Sequence, residues 1–152
     1  MKSFVLSAIG FGSERGSVAI SQVVSASPAN EVVFTDTAIG NTADAIHSSS
    51  TVVYSIAVDN SLNSGAASYV KLYNLGSGSV TVGTTVPDEV IYAPSGAIVT
   101  LGFGTSAVAG KTFGTALSAA CVTTGGTAGS TSPSSSVTVR IVYSSTSGGP
   151  VG

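Results

Sequence analysis

Short runs of Val, Ile and Tyr alternate with small or polar residues along most of this chain. Each run ends in a cluster of Gly, Ser, Asn or Pro. A period of two sends successive side chains to opposite faces of an extended strand, so this pattern folds as sheet and does not settle as helix. The clearest run is residues 51–59. It predicts Val52, Tyr54, Ile56 and Val58 on one face and Val53, Ser55, Ala57 and Asp59 on the other. Both faces are fairly apolar, which suits a strand covered on each side.

Further strands are predicted at residues 31–35, 68–74, 80–82, 88–92, 97–101, 115–124 and 137–143. In the second of these, Val70 and Leu72 face one way while Tyr69, Lys71 and Tyr73 face the other. In the last, Val137, Val139, Ile141 and Tyr143 share a face. Glycine-flanked loops at 102–104 and 110–114 carry Phe103 and Phe113 at their tips. The run at 115–124 is built from small residues, so another backbone can approach it closely. Helical signal is confined to one turn at residues 42–46. About eight strands at this spacing predict an all-β fold, a single β-sandwich of the jelly-roll kind. No repeat of about forty residues is present, which argues against a propeller. The chain divides into an N-terminal arm at 1–30, a sandwich domain at 31–145 and a C-terminal tail at 146–152.

The same composition narrows function. Charged residues make up 8% of the 152 residues, against roughly 25% in an ordinary soluble domain. A formal net charge of −2 steers the chain toward neither nucleic acid nor an anionic membrane. A surface of Ser, Thr, Gly and Ala is cheap to desolvate, which suits faces that are buried by copies of the same chain or by a partner. Met1, Lys2 and the apolar residues 4–11 faintly resemble a signal peptide, but Ser7 and Gly10 interrupt the stretch and Glu14 and Arg15 follow at once. No run of about eighteen apolar residues is present, so no membrane span is expected.

Reactive groups are few. Cys121 is the single cysteine and sits in an apolar run, where a thiol behaves as a small hydrophobe. His47 is the single imidazole, so a nucleophile would have no second base or orienting group to draw on. His47, Asp36, Asp44, Asp59 and Cys121 have no metal-ligand spacing, and no calcium-loop pattern of carboxylates occurs. Asp88 and Glu89 are adjacent, so on a strand they point to opposite faces and cannot act as a facing acid–base pair. Gly102-Phe-Gly-Thr105 is not followed by a helix and is no phosphate cradle. No catalytic residue, cofactor or metal site is predicted, and a hydrolytic enzyme ranks last among the function classes. The candidate interface residues are Phe4, Val5, Leu6, Ile9 and Phe11 in the arm, with Tyr69, Tyr73, Phe103 and Phe113 in the domain. The arm is apolar but too short to build its own core. Tyr69 and Tyr73 beside Lys71, with the two Phe tips, could also stack on sugar rings.

Residues 52–60, 67–74 and 81–87, together with 112–118, 121–127 and 137–143, resemble small β-rich virion proteins of tailed phages, namely capsid decoration (cement) proteins of the cyanophage or marine-phage kind. The resemblance spans about residues 50–145 and excludes the arm. It implies a homotrimer on the capsid exterior that braces the major capsid protein lattice against internal pressure. Because only the assembled state binds, each added contact stabilises it by mass action. The alternative is a head-fibre or tail-appendage module that recognises host-surface glycan.

Overall fold

The computed structural model of the chain describes residues 31–104 and 109–144. The arm, the tail and the tip of the 102–110 loop lie outside the described residues. Nine strands are present among the described residues: β1 (Glu31–Asp36), β2 (Asp44–His47), β3 (Thr51–Asp59), β4 (Ser68–Tyr73), β5 (Glu89–Ala93), β6 (Ile98–Gly102), β7 (Lys111–Phe113), β8 (Leu117–Val122) and β9 (Thr138–Ser144). One 3-10 turn, Ser77–Ser79, accompanies them.

The strands form two antiparallel sheets. The first has the order β1-β9-β3-β6, with the short β7 also paired to β3; the second has the order β2-β8-β4-β5. Consecutive strands thus alternate between sheets from β1 to β2 and from β2 to β3, and the last strand returns to lie between the first and third. That interleaving is the jelly roll, two Greek keys folded into a sandwich, as the strand spacing predicts.

The core is what the alternation predicts for most strands. Val139, Ile141 and Tyr143 of β9, with Val137 just before it, meet Val70 and Leu72 of β4 and Leu117, Ala119 and Cys121 of β8. Fully burying one such Ile or Leu contributes about 1.5–3 kcal/mol. Four expectations are corrected. First, a β-bulge between Val53 and Ser55 puts two residues of β3 opposite one step of β9. The phase reverses there, so Val53 faces the core together with Ile56 and Val58, and Tyr54 does not. A bulge adds one residue to one strand and so shifts every later side chain by one. Second, residues 42–46 form no helical turn: residues 42 and 43 lead into strand β2, which starts at Asp44. Third, residues 80–82 are not a strand: Val80 closes the 3-10 turn through its N–H to Ser77, and a turn at 81–85 follows. Fourth, Phe113 is not at a loop tip but ends β7, fully buried in the core.

Candidate interaction surface

The two sheets differ on their outer sides. On the second sheet, register aligns Val122, Tyr69 and Tyr92 in one row and Ala120, Lys71 and Val90 in the next, with Ser118 beside Tyr73 in the row after. Two loops of the chain roof this surface. Lys71 is fully buried, and its Nζ donates to the carbonyls of Thr127 at 3.0 Å and Gly129 at 2.6 Å. Burial lowers the Lys71 pKa from its ordinary value. The ammonium therefore acts as a fixed anchor that holds the 123–131 loop against the sheet. The Ser118 hydroxyl donates to the Leu75 carbonyl at 2.8 Å, which ties down the start of the other loop. The two loops meet where Gly83, at φ 95°, lies against Ser130; a Cβ at Gly83 would come within 2.9 Å of the Ser130 Cβ. Both the positive φ and the close approach require glycine there.

Under this roof Tyr73 is fully buried, and its hydroxyl has no hydrogen-bond partner among the described residues. Tyr73 therefore cannot serve as an interface or sugar-stacking residue. Phe113 is excluded for the same reason, since the core covers it completely. Phe103 is partly buried against the core, and its N–H donates to the Tyr54 carbonyl at 2.7 Å. Tyr69 remains partly accessible. Its ring lies 5.3 Å from that of Tyr92, tilted by 47°, and Tyr92 is 53% exposed. Tyr92 was not among the sequence candidates, although its place in the alternating 88–92 run, on the same face as Val90 and away from Ile91, was visible. Phe4, Val5, Leu6, Ile9 and Phe11 lie outside the described residues.

The first sheet has no such roof among the described residues. Register places Val33, Val142, Ser55 and Gly102 in one outward row and Thr35, Arg140, Ala57 and Thr100 in the next, followed by Thr138, Asp59 and Ile98. Val33 is 46% exposed and Ile98 66%, while Thr35, Thr100, Gly102 and Arg140 are also exposed. Ser55, Ala57 and Asp59 are half-buried. The face carries mostly small side chains between two exposed aliphatics, with Val142 buried among them, Arg140 near its middle and Asp59 toward one end. No described residue pairs with Arg140. Asp59 instead accepts from Ser61, whose hydroxyl first and whose N–H at 2.9 Å second hold its pKa below the ordinary carboxylate value.

The remaining polar groups are structural. Asn60 is fully buried; its amide donates to the carbonyls of Ala66, Ala93 and Pro94, and its oxygen accepts from Ser68. The Asn63 oxygen accepts from the Ser135 N–H at 2.9 Å, which joins two loops at one end of the sandwich. Lys111 bridges the sheets by pairing with Glu89 at 2.7 Å. Among the described residues no group of three or more His, Cys, Asp or Glu side chains is placed to hold a metal ion, and no helix is long and apolar enough to cross a membrane. No protein-family model, curated protein or solved structure matches the chain.

Proposed function

We propose that this chain is a structural virion protein that decorates a phage capsid and stabilises it by binding the major capsid protein lattice. It acts through assembly and not through a reaction. The observation that carries this reading is the asymmetry of the sandwich: one sheet is roofed by the chain's own loops, while among the described residues the outer face of the other has no such roof. Ser, Thr, Ala and Gly on that face lose little hydration when covered, and Val33 and Ile98 gain by being covered. Arg140 supplies one charge for a carboxylate on the partner, a contact that fixes register more than it adds affinity. Capsid subunits and sibling copies, as a homotrimer on the capsid exterior, would together do the covering.

Adding the purified protein to capsids that lack it tests this. The expected result is a trimer in solution and a higher temperature of genome release. A monomer that leaves the release temperature unchanged would overturn the proposal.

One observation favours a second reading, a glycan-binding head fibre or tail appendage. Tyr69 and Tyr92 form an exposed aromatic pair, and aromatic faces stack on sugar rings. That reading predicts binding on a glycan array that disappears with Tyr92→Ala; an array without signal counts against it.

A further inference from the structure

Edge strands are normally kept from pairing with other chains by shortness, bulges, charge or Pro. Strand β2 has four residues and a register shift, β7 has three residues, and β5 opens on Glu89, which pairs with Lys111. Strand β6 lacks such charge, Pro or irregularity. Its five residues, Ile98-Val-Thr-Leu-Gly102, include no charge and no Pro, and they keep an unbroken register on β3. Among the described residues β6 pairs with β3 alone.

The ladder fixes which groups face outward. The Asn60 N–H donates to the Ala97 carbonyl at 2.9 Å, and the Phe103 N–H donates to the Tyr54 carbonyl at 2.7 Å, one at each end of β6. Antiparallel strands alternate bonded and non-bonded pairs, so between these ends Val99 and Leu101 bond to β3. The N–H and C=O groups of Ile98, Thr100 and Gly102 point away from it and meet no partner among the described residues. Ile98 is 66% exposed and Leu101 40%. Leu101 lies opposite Ile56, on the core side of the sheet, so its exposure comes from the lack of a next strand.

This edge is complementary to itself. Two copies of β6 meeting antiparallel about a two-fold axis at Thr100 set Ile98 opposite Gly102 and Thr100 opposite Thr100. These are bonded pairs, and the outward N–H and C=O groups of each copy satisfy those of the other. Val99 then faces Leu101 in the closer, non-bonded pairs, which covers Leu101 on the core side. On the outer side Ile98 meets Gly102, which has no side chain to obstruct it. Aliphatic and Thr–Thr pairs across strands stabilise a ladder, and no like charges are opposed. A charged segment of another protein would find no counter-charge on this strand.

We infer that β6 is a contact between two copies of this chain, which joins their first sheets into one continuous sheet across a two-fold axis. The inference stands apart from the capsid proposal: in a trimer the same contact joins one trimer to the next, and it is tested without a capsid.

The test is amide hydrogen exchange read by NMR at high protein concentration, with sedimentation mass, on the native chain and on Thr100→Lys. Thr100 is exposed, and the substitution sets two ammonium groups face to face at the axis. In the native chain the Ile98 and Gly102 amides are expected to be protected by about 100-fold or more over free-peptide rates. Thr100→Lys should halve the sedimenting mass and cut that protection at least tenfold, while amides of β8 and β9 are unchanged. Three results would overturn the inference: free-peptide rates at Ile98 and Gly102 in the native chain, protection that survives Thr100→Lys, or protection lost with no change in mass. The last would assign the cover to the chain itself.

Discussion

Removing the hydroxyl of Tyr73 should stabilise the protein, and the same change at Tyr143 should weaken it. Both residues are buried. Among the described residues the Tyr73 hydroxyl has no partner, whereas the Tyr143 hydroxyl donates to the Ile46 carbonyl at 3.3 Å. An unsatisfied buried polar group costs about 1–3 kcal/mol. Tyr73→Phe removes that cost and leaves a void about one oxygen in size, worth a few tenths of a kcal/mol at about 24 cal/mol per Å³. The expected net gain is about 1–2 kcal/mol, or roughly 4 °C in Tm per kcal/mol for a domain near this size. Tyr143→Phe loses a long hydrogen bond and leaves a carbonyl with one partner fewer, a loss of about 0.5–1.5 kcal/mol. Urea melts of the two variants beside the parent chain measure both. The m-value should stay constant, so the midpoints carry the comparison. If Tyr73→Phe destabilises by more than about 0.5 kcal/mol, the hydroxyl has a partner and the account of the roofed sheet is wrong; equal signs for the two variants would refute it as well.

Three further outcomes follow from the packing. Phe113→Ala should cost about 3–5 kcal/mol as a core truncation, whereas Tyr92→Ala on the outer face should cost about 1 kcal/mol or less; thermal melts separate the two. Lys71→Met leaves the Thr127 and Gly129 carbonyls without their donor, so the 123–131 loop should be cut at least several-fold faster by a nonspecific protease, with mass spectrometry locating the cleavage. Stability should fall as pH rises above about 9. Burial pushes the Cys121 thiol from 9.0 to about 11 and raises Tyr73 and Tyr143 above their ordinary value, so the unfolded chain loses these protons first and gains relative stability. Lys71 works in the opposite direction, since its folded pKa is lowered and its contribution improves as pH rises toward 10.5. Cys121→Ala should therefore move the onset of the alkaline loss upward and recover up to about 3 kcal/mol of it; an unchanged onset in pH-dependent urea melts would contradict the assignment.

The architecture was legible because strand alternation is a local signal. Residues 137–143 and 68–74 face as their pattern predicts, and their spacing is that of a jelly roll. Three kinds of feature were not legible. The bulge at Val53 to Ser55 reverses the face of β3 without altering its composition, so Tyr54 looks inward-facing on paper. Strand β2 is too short to declare a period, and its pairing to β8 comes from tertiary contact. The burial of Tyr73 and Lys71 depends on the loop that follows β4 at residues 74–86 and on the 123–131 loop, which arrives from far along the chain. A row of Tyr, Lys and Tyr on a strand looks like an exposed face until those loops are placed. Phe113 was misplaced because its flanking glycines suggest a turn, although Gly110 is there for a different reason: a Cβ would strike the Val53 carbonyl oxygen where β7 approaches β3. The bare face of the first sheet was foreshadowed by scarcity of charge, but which sheet would carry it could be seen only in the fold.

The central claim is that this bare face is buried when the protein assembles on a capsid. Arg140→Glu reverses the one charge near its middle and touches no described partner, so folding should be preserved. Binding of the folded variant to capsids, measured as copies retained per particle after sedimentation, tests the claim most directly. The account predicts an unchanged Tm and at least a tenfold loss of retained protein. Full retention at an unchanged Tm would show that another surface makes the contact.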